Sequence, residues 1–189
     1  MIKVGVAVLA MAGLVFAGMN EPVVKVEVKG MHLCCGGCEG GAKGAVEGGG
    51  AKEASTDKAS GTLTFSVAND AAALKALEKL AAAGFWGTID SKTIALKDDS
   101  GTVLPPKAKP VKVSSGTFKG AHNCCDGCNK ALKEAIKGVE GVESEDAKAK
   151  ESSFTVKGKY DPAAVIKAIH AAGYHAKIEK PEIIKEAKK

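Results

Sequence analysis

Six cysteines and two of the histidines are the side chains in this sequence whose types and spacing could do chemistry, and they form two short clusters. Each cluster reads as histidine, one spacer residue, two adjacent cysteines, two further residues and a third cysteine. The members are His32, Cys34, Cys35 and Cys38 in the first cluster, and His122, Cys124, Cys125 and Cys128 in the second. Thiolate pairs select soft ions such as Cu(I), and three thiolates with one imidazole also complete a tetrahedral zinc site. We therefore predict that all eight side chains belong to metal sites, about one metal ion per cluster.

The Cys-x-x-Cys spacing favours ionised thiols. At the start of a helix this spacing puts both sulfurs on one side, near free backbone N–H groups and the positive end of the helix dipole, and both features lower the thiol pKa. Adjacent residues usually point apart, so Cys34 and Cys35 share one ion only if the loop is kinked. Whether His32, His122, Cys34 and Cys124 ligate the ion directly is left open by the sequence.

The two clusters belong to an internal repeat. His32 and His122 are 90 residues apart, as are Cys38 and Cys128, and the segment Ala-Ala-Gly-Phe at 82–85 corresponds to Ala-Ala-Gly-Tyr at 171–174. Such a duplication defines the architecture before any other feature does. We place the first repeat at residues 22–91 and the second at residues 111–179.

Each repeat predicts the order strand, helix, strand, strand, helix, strand. Val24, Val26 and Val28 alternate with charged residues, which is the pattern of a half-buried strand. A helix is expected after each cysteine loop, and in the first repeat the glycine-rich run 36–50 should weaken it. The second helix of the second repeat opens on Asp161-Pro162 and stops at Gly173. The βαββαβ order predicts an α+β protein of two tandem ferredoxin-like domains, each an antiparallel sheet with two helices on one face.

The remaining segments predict an exported protein. Lys3 precedes an apolar run from Val4 to Phe16, with small residues after it, so residues 1–17 read as a signal peptide for a periplasmic or secreted protein. The run is shorter than the roughly 20 residues of a membrane span, so no membrane attachment is expected after cleavage. Residues 92–110 should form a linker with a hairpin around Asp99-Ser100-Gly101 and a proline-rich spacer at 105–110. Residues 180–189 should form a charged, solvated tail.

Composition argues against two function classes. The formal net charge is +5, and it arises from lysine alone because the chain contains no arginine, the residue on which bidentate recognition of phosphates and bases depends. Nucleic acid is therefore not an expected partner. No catalytic triad, phosphate-binding loop or pair of carboxylates is recognisable, so we do not expect an enzyme.

The cysteine loops, the segment Gly141-Val142-Glu143-Ser144 and the endings Ala-Gly-Phe and Ala-Gly-Tyr together resemble the heavy-metal-associated domain. This family includes copper chaperones and periplasmic mercury-binding proteins. The resemblance implies one soft ion between two thiolates in each repeat, Cys35 with Cys38 and Cys125 with Cys128. Cu(I) is favoured, with Zn or Hg as alternatives, and a metal-donor or metal-acceptor protein is an implied partner. The added histidine and third cysteine depart from the family loop, so coordination number does not carry over.

Two other functions stay open from the residues. Exported Cys-x-x-Cys pairs also serve thiol–disulfide exchange, although no aromatic residue precedes the first cysteine as in thioredoxin-type motifs. The clusters could equally stabilise an interaction module through metal or disulfide bonds.

Overall fold

The computed structural model describes residues 23–102 and 111–184. The predicted signal peptide, the proline-rich spacer and the last five residues of the predicted tail lie outside the described residues. Within the described part of the chain, no helix is long and apolar enough to cross a membrane.

The first repeat forms a three-stranded antiparallel sheet with two helices. Its elements are β1 (Val24–Val28), α1 (Gly36–Gly48), β2 (Lys52–Asp57), β3 (Thr62–Val67) and α2 (Asp70–Ala82), and the strand order is β1-β3-β2. The predicted fourth strand is reduced to one bridge between Lys29 and Thr88, so the prediction of a regular sixth element in this repeat is wrong. The physical reason is that the residues after α2 pair elsewhere: Phe85 bridges Tyr174, and Trp86 N–H donates to the Gly173 carbonyl at 3.1 Å.

The second repeat forms the complete predicted arrangement. Its elements are β4 (Val113–Lys119), α3 (Asp126–Lys137), β5 (Val142–Glu145), β6 (Ser153–Tyr160), α4 (Pro162–Ala171) and β7 (Lys177–Ile183), and the antiparallel strand order is β5-β6-β4-β7. The α+β, ferredoxin-like fold class is thus confirmed. Strand β7 continues to Ile183, so the predicted solvated tail begins too early. Pro181 is compatible with this strand because β7 is an edge strand whose register against β4 shifts nearby.

Small residues in α1 allow the two helices of the first repeat to approach closely. Leu132 and Val139 of the second repeat correspond to Ala42 and Gly49, and a Cβ at Gly49 would lie 2.4 Å from the Cα of Ala76 in α2. The glycine content that weakens α1 therefore also has a packing role at the end of the helix.

Residues 93–102, the described part of the predicted hairpin around Asp99-Ser100-Gly101, contain no strand. The segment instead lies beside the start of β7. The Ser100 carbonyl accepts from Ile178 N–H at 2.8 Å, and the Asp99 carboxylate contacts His175 Nε2 at 2.7 Å and pairs with Lys177. These interactions with the second repeat replace the pairing that a hairpin needs.

The two repeats pack with approximate two-fold symmetry around two equivalent glycines. Gly84 and Gly173 each follow the second helix of their repeat, and both have φ of +85°. A Cβ at Gly84 would lie 2.2 Å from His122 N, and a Cβ at Gly173 would lie 2.2 Å from His32 N. Because neither glycine has a side chain, the cysteine loop of the opposite repeat packs directly against the backbone of each glycine. This contact brings the two loops together.

Replacing Gly173 by alanine should destabilise the protein, because the new Cβ would overlap the backbone of His32. The matched control is Gly120→Ala, where φ is +87° but no atom lies within 4 Å of the added Cβ. Both variants incur the left-handed backbone strain of about 1–2 kcal/mol, and Gly173→Ala should lower the free energy of unfolding by roughly 1–3 kcal/mol more. Chemical denaturation of the metal-free protein measures the difference. Equal losses for the two variants would mean that the loop contact is not close.

Candidate metal centre

The six cysteine sulfurs lie in one cluster shared by both repeats, rather than in two separate loops as the sequence led us to expect. Cys38 Sγ and Cys128 Sγ are 3.4 Å apart at the centre of this cluster, and both residues are fully buried. The separations between neighbouring sulfurs run from 3.4 to 3.8 Å. The difference from the expectation arises from the glycine contacts at Gly84 and Gly173, which place the loops face to face.

The helix starts position the thiols. Cys35 and Cys125 are the N-cap residues of α1 and α3 and have extended backbones, so Cys38 and Cys128 fall in the first helical turn and point into the interior. The Cys35 carbonyl accepts from Cys38 N–H at 3.0 Å, which closes this first turn. The predicted placement of each Cys-x-x-Cys at a helix N-terminus is therefore what the structure shows.

The loops that precede α1 and α3 are also held by contacts away from the sulfurs. Met31 and Leu33 are buried in the first repeat, and Ala121 and Asn123 take the same places in the second. The Asn123 side-chain amide donates to the Lys148 carbonyl at 2.7 Å, and Tyr174 O–H donates to the Cys128 carbonyl at 3.1 Å. The sequence reasoning assigned no role to Asn123.

The sulfur spacing fits a shared metal ion. All six cysteines are free thiols, and their closest separation of 3.4 Å far exceeds the S–S bond of about 2.05 Å. Two thiolates bonded at about 2.3 Å to one tetrahedral ion lie about 3.8 Å apart, so small movements would bring neighbouring sulfurs to coordination distance.

Both predicted histidines lie beside the sulfurs, and each stacks on an aromatic ring of the opposite repeat. His32 stacks on Tyr174 with ring centroids 4.7 Å apart, and His122 stacks on Phe85 at 4.1 Å. The ligand atoms of His122, Cys38, Cys124 and Cys128 all lie within 4.8 Å of one another. The ligand atoms of His32, Cys34 and Cys128 also lie within 4.8 Å of one another.

The Nε2 atoms of His32 and His122 are buried and have no hydrogen-bond partner among the described residues. An unpaired buried nitrogen is costly unless something binds it. Burial also lowers the pKa of both histidines, which favours the neutral imidazole that a metal ion requires. The aromatic partners Phe85 and Tyr174 were visible in the sequence only as markers of the repeat.

The thiols fall into two groups, one with a lowered pKa and one with a raised pKa. The backbone N–H of Cys38 donates to Cys35 Sγ and, with further hydrogen bonds, lowers the pKa of Cys35 to about 6, and the N–H of Cys128 lowers that of Cys125 in the same way. Partial desolvation of the sulfur, with hydrogen bonds to neighbouring thiols, raises the pKa of Cys34 and Cys124, and desolvation raises that of Cys128 to about 11. Cys35 therefore ionises near neutral pH, the lowered pKa of Cys125 favours its thiolate as well, and the thiols with raised pKa keep their protons in the metal-free protein.

The other two histidines are not part of this centre. His170 stacks on Trp86 with centroids 3.7 Å apart, and its Nε2 contacts His175 Nδ1 at 2.9 Å. His175 is in turn bound to Asp99. His170 therefore has a packing role.

Comparison with known proteins identifies the domain that carries the second loop. Residues 124–175 match the family model of the heavy-metal-associated domain. The sequence is 37% identical over 54 residues to heavy metal-associated isoprenylated plant protein 34 of Arabidopsis thaliana, covering 29% of this chain and 9% of that protein. It is 32% identical over 71 residues to plant protein 30 of the same group, covering 38% of this chain and 39% of that protein. The matches thus span well under half of these relatives.

Two solved structures are similar to part of the chain. Oxidized MerP from Ralstonia metallidurans CH34 is 26% identical, covers 35% of this chain and 96% of its own, and aligns with a TM-score of 0.33. The N-terminal domain of PacS from Synechocystis PCC6803 is also 26% identical, covers 35% and 97%, and has a TM-score of 0.33. The family match begins at Cys124, within the second loop.

The two pKa classes predict an order of alkylation in the reduced, metal-free protein at pH 7. Cys35 and Cys125 should react first with iodoacetamide, because they are partly exposed and have lowered pKa values, whereas the fully buried Cys38 and Cys128 should react last. Peptide mapping by mass spectrometry over time gives the order, and the chain unfolded in urea, where the six rates should converge, is the control. Fast labelling of Cys38 and Cys128 in the folded protein would contradict the arrangement.

Proposed function

We propose that this protein is exported from the cytoplasm to the periplasm or the outside of the cell. In that compartment it binds, carries or sequesters soft metal ions without catalysis, and Cu(I) is the favoured ion. The observation that carries the proposal is the single cluster of six sulfurs flanked by two buried imidazoles that lack hydrogen-bond partners. Six polarisable thiol ligands favour soft ions over Mg²⁺ or Ca²⁺, which prefer oxygen.

The proposal treats the first repeat as a second metal-binding unit of the same kind. Three observations support it: the loop recurs at a constant spacing, α1 is capped by the equivalent cysteine Cys35, and β1 to α2 follow the same order as β4 to α4. The names of the plant relatives and the domain match at 124–175 concern heavy-metal association and agree with this reading.

A carrier must also be able to give up its metal ion. Cys34 is exposed and Cys35 is partly exposed, whereas Cys38 and Cys128 are buried. An acceptor thiol could therefore reach the cluster from the side of Cys34 and replace the protein ligands one at a time. This accessibility favours transfer to a partner protein over a purely structural metal site.

Metal binding is tested by anaerobic titration of the reduced protein with Cu(I) in competition with a chromogenic chelator, followed by elemental analysis. The double variant Cys38→Ser with Cys128→Ser should lower the affinity at least about tenfold, which corresponds to about 1.4 kcal/mol. His170→Gln is the matched control, because that residue lies in the separate histidine cluster. Unchanged affinity in the double variant would refute the proposal, and efficient disulfide exchange with a substrate protein would favour the redox function instead.

Export is tested by expressing the full chain in a Gram-negative host. We expect a processed product in the periplasmic fraction whose intact mass corresponds to a start at Gly18, after cleavage behind Ala17. A chain that begins at residue 18 serves as the control and should stay in the cytoplasm. An unprocessed chain in the membrane fraction would show that the apolar segment is an anchor.

A further inference from the structure

We propose that the third cysteine of each repeat completes the metal site of the opposite repeat, so that the protein holds two soft ions in two crossed three-sulfur sites. Site A consists of Cys35, Cys38 and Cys124. Site B consists of Cys125, Cys128 and Cys34. The inference rests on the proposed soft-metal binding and specifies its ligand sets, which neither the domain match nor the loop spacing assigns.

The sulfur triangles carry the assignment. In site A the three Sγ···Sγ separations are all 3.6 Å, which is an equilateral triangle. In site B they are 3.4 Å from Cys34 to Cys128, 3.5 Å from Cys34 to Cys125 and 3.8 Å from Cys125 to Cys128. Three thiolates in one plane around an ion at about 2.3 Å lie about 4.0 Å apart, so a small expansion of each triangle gives trigonal coordination.

The third cysteines fit the opposite pair better than their own. Cys34 contacts both sulfurs of the opposite pair, at 3.4 and 3.5 Å, but in its own repeat it hydrogen-bonds with Cys38 alone, at 3.7 Å. Cys124 contacts Cys35 and Cys38 at 3.6 Å and, in its own repeat, Cys128 at 3.7 Å. If all three cysteines of one repeat bound the same ion, two residues adjacent in the chain, such as Cys34 and Cys35, would both have to ligate it.

A glycine inside each Cys-x-x-Cys loop lies next to the third cysteine of the opposite repeat. A Cβ at Gly127 would lie 3.4 Å from Cys34 Sγ and 3.7 Å from Cys125 Sγ. A Cβ at Gly37 would lie 3.5 Å from Cys35 Sγ and 3.7 Å from Cys124 Sγ. The third cysteine of one repeat therefore lies over the glycine between the two cysteines of the opposite pair, at van der Waals distance from where a Cβ would be. Both repeats have glycine at this position.

The histidines lie beside the two sites. A ring nitrogen of His122 lies within 4.8 Å of Cys38 and Cys124 in site A and also of Cys128 in site B, and one of His32 lies within 4.8 Å of Cys34 and Cys128 in site B. Each site thus has one adjacent imidazole with an unpaired buried nitrogen. Each ion is held by side chains of both repeats, and metal binding ties the repeats together.

The test removes one site and asks which third cysteine the remaining site uses. The double variant Cys125→Ser with Cys128→Ser retains Cys35 and Cys38 together with both third cysteines. Into it we introduce either Cys124→Ser or Cys34→Ser, load one equivalent of Cu(I) anaerobically, and measure the sulfur coordination number by X-ray absorption and the affinity by chelator competition. The crossed arrangement predicts three sulfurs in the double variant and two after Cys124→Ser. It also predicts an affinity loss at least tenfold larger for Cys124→Ser than for Cys34→Ser.

A larger loss from Cys34→Ser, or equal losses from the two variants, would overturn the crossed arrangement while leaving soft-metal binding intact. Failure of the unmodified protein to bind Cu(I) would instead refute the proposed function. The mirror experiment starts from Cys35→Ser with Cys38→Ser and exchanges the roles of Cys34 and Cys124, so a folding defect in one double variant leaves the other as a test. Circular dichroism of each metal-free variant establishes that it is folded.

Discussion

The close backbone contact between the glycine after the second helix of each repeat and the cysteine loop of the other repeat is the constraint on which the metal centre depends. Gly84 lies against His122, and Gly173 lies against His32, at distances that no side chain could occupy. The contact sets the distance between α1 and α3, whose N-terminal turns carry the buried cysteines. Two loops of three thiols each thereby become one cluster of six.

Gathering so many ionisable groups in one place has an electrostatic cost in the metal-free state. Thiolates a few ångströms apart repel each other, and removal from water disfavours the charged form of each. The metal-free protein resolves this by keeping several thiols protonated, as the raised pKa of Cys34, Cys124 and Cys128 indicates. In the proposed function a soft cation would replace those protons, so metal binding would release protons and relieve the repulsion in the same step.

The sequence predicts local features of the fold well and the meeting of the two loops not at all. The valine alternation of β1 and the Asp161-Pro162 start of α4 are local signals, and both elements form as expected. Phe85 and Tyr174 were recognisable as repeated residues, but their stacking on the opposite histidines depends on packing between segments about 90 residues apart. The fourth strand of the first repeat was mispredicted for the same reason, since Phe85 and Trp86 pair with the second repeat, and residues near Asp99 likewise contact the second repeat.

The covalent connection between the repeats has a consequence for how the centre assembles. Two separate copies of such a domain would meet only at concentrations set by their mutual affinity, whereas two copies in one chain meet at an effective concentration fixed by the linker. The centre therefore forms equally well at any dilution of the protein. The halves are also free to diverge, as Met31 against Ala121 and Phe85 against Tyr174 show, so the two faces of the cluster can specialise while remaining in contact, a freedom that a symmetric dimer of identical chains lacks.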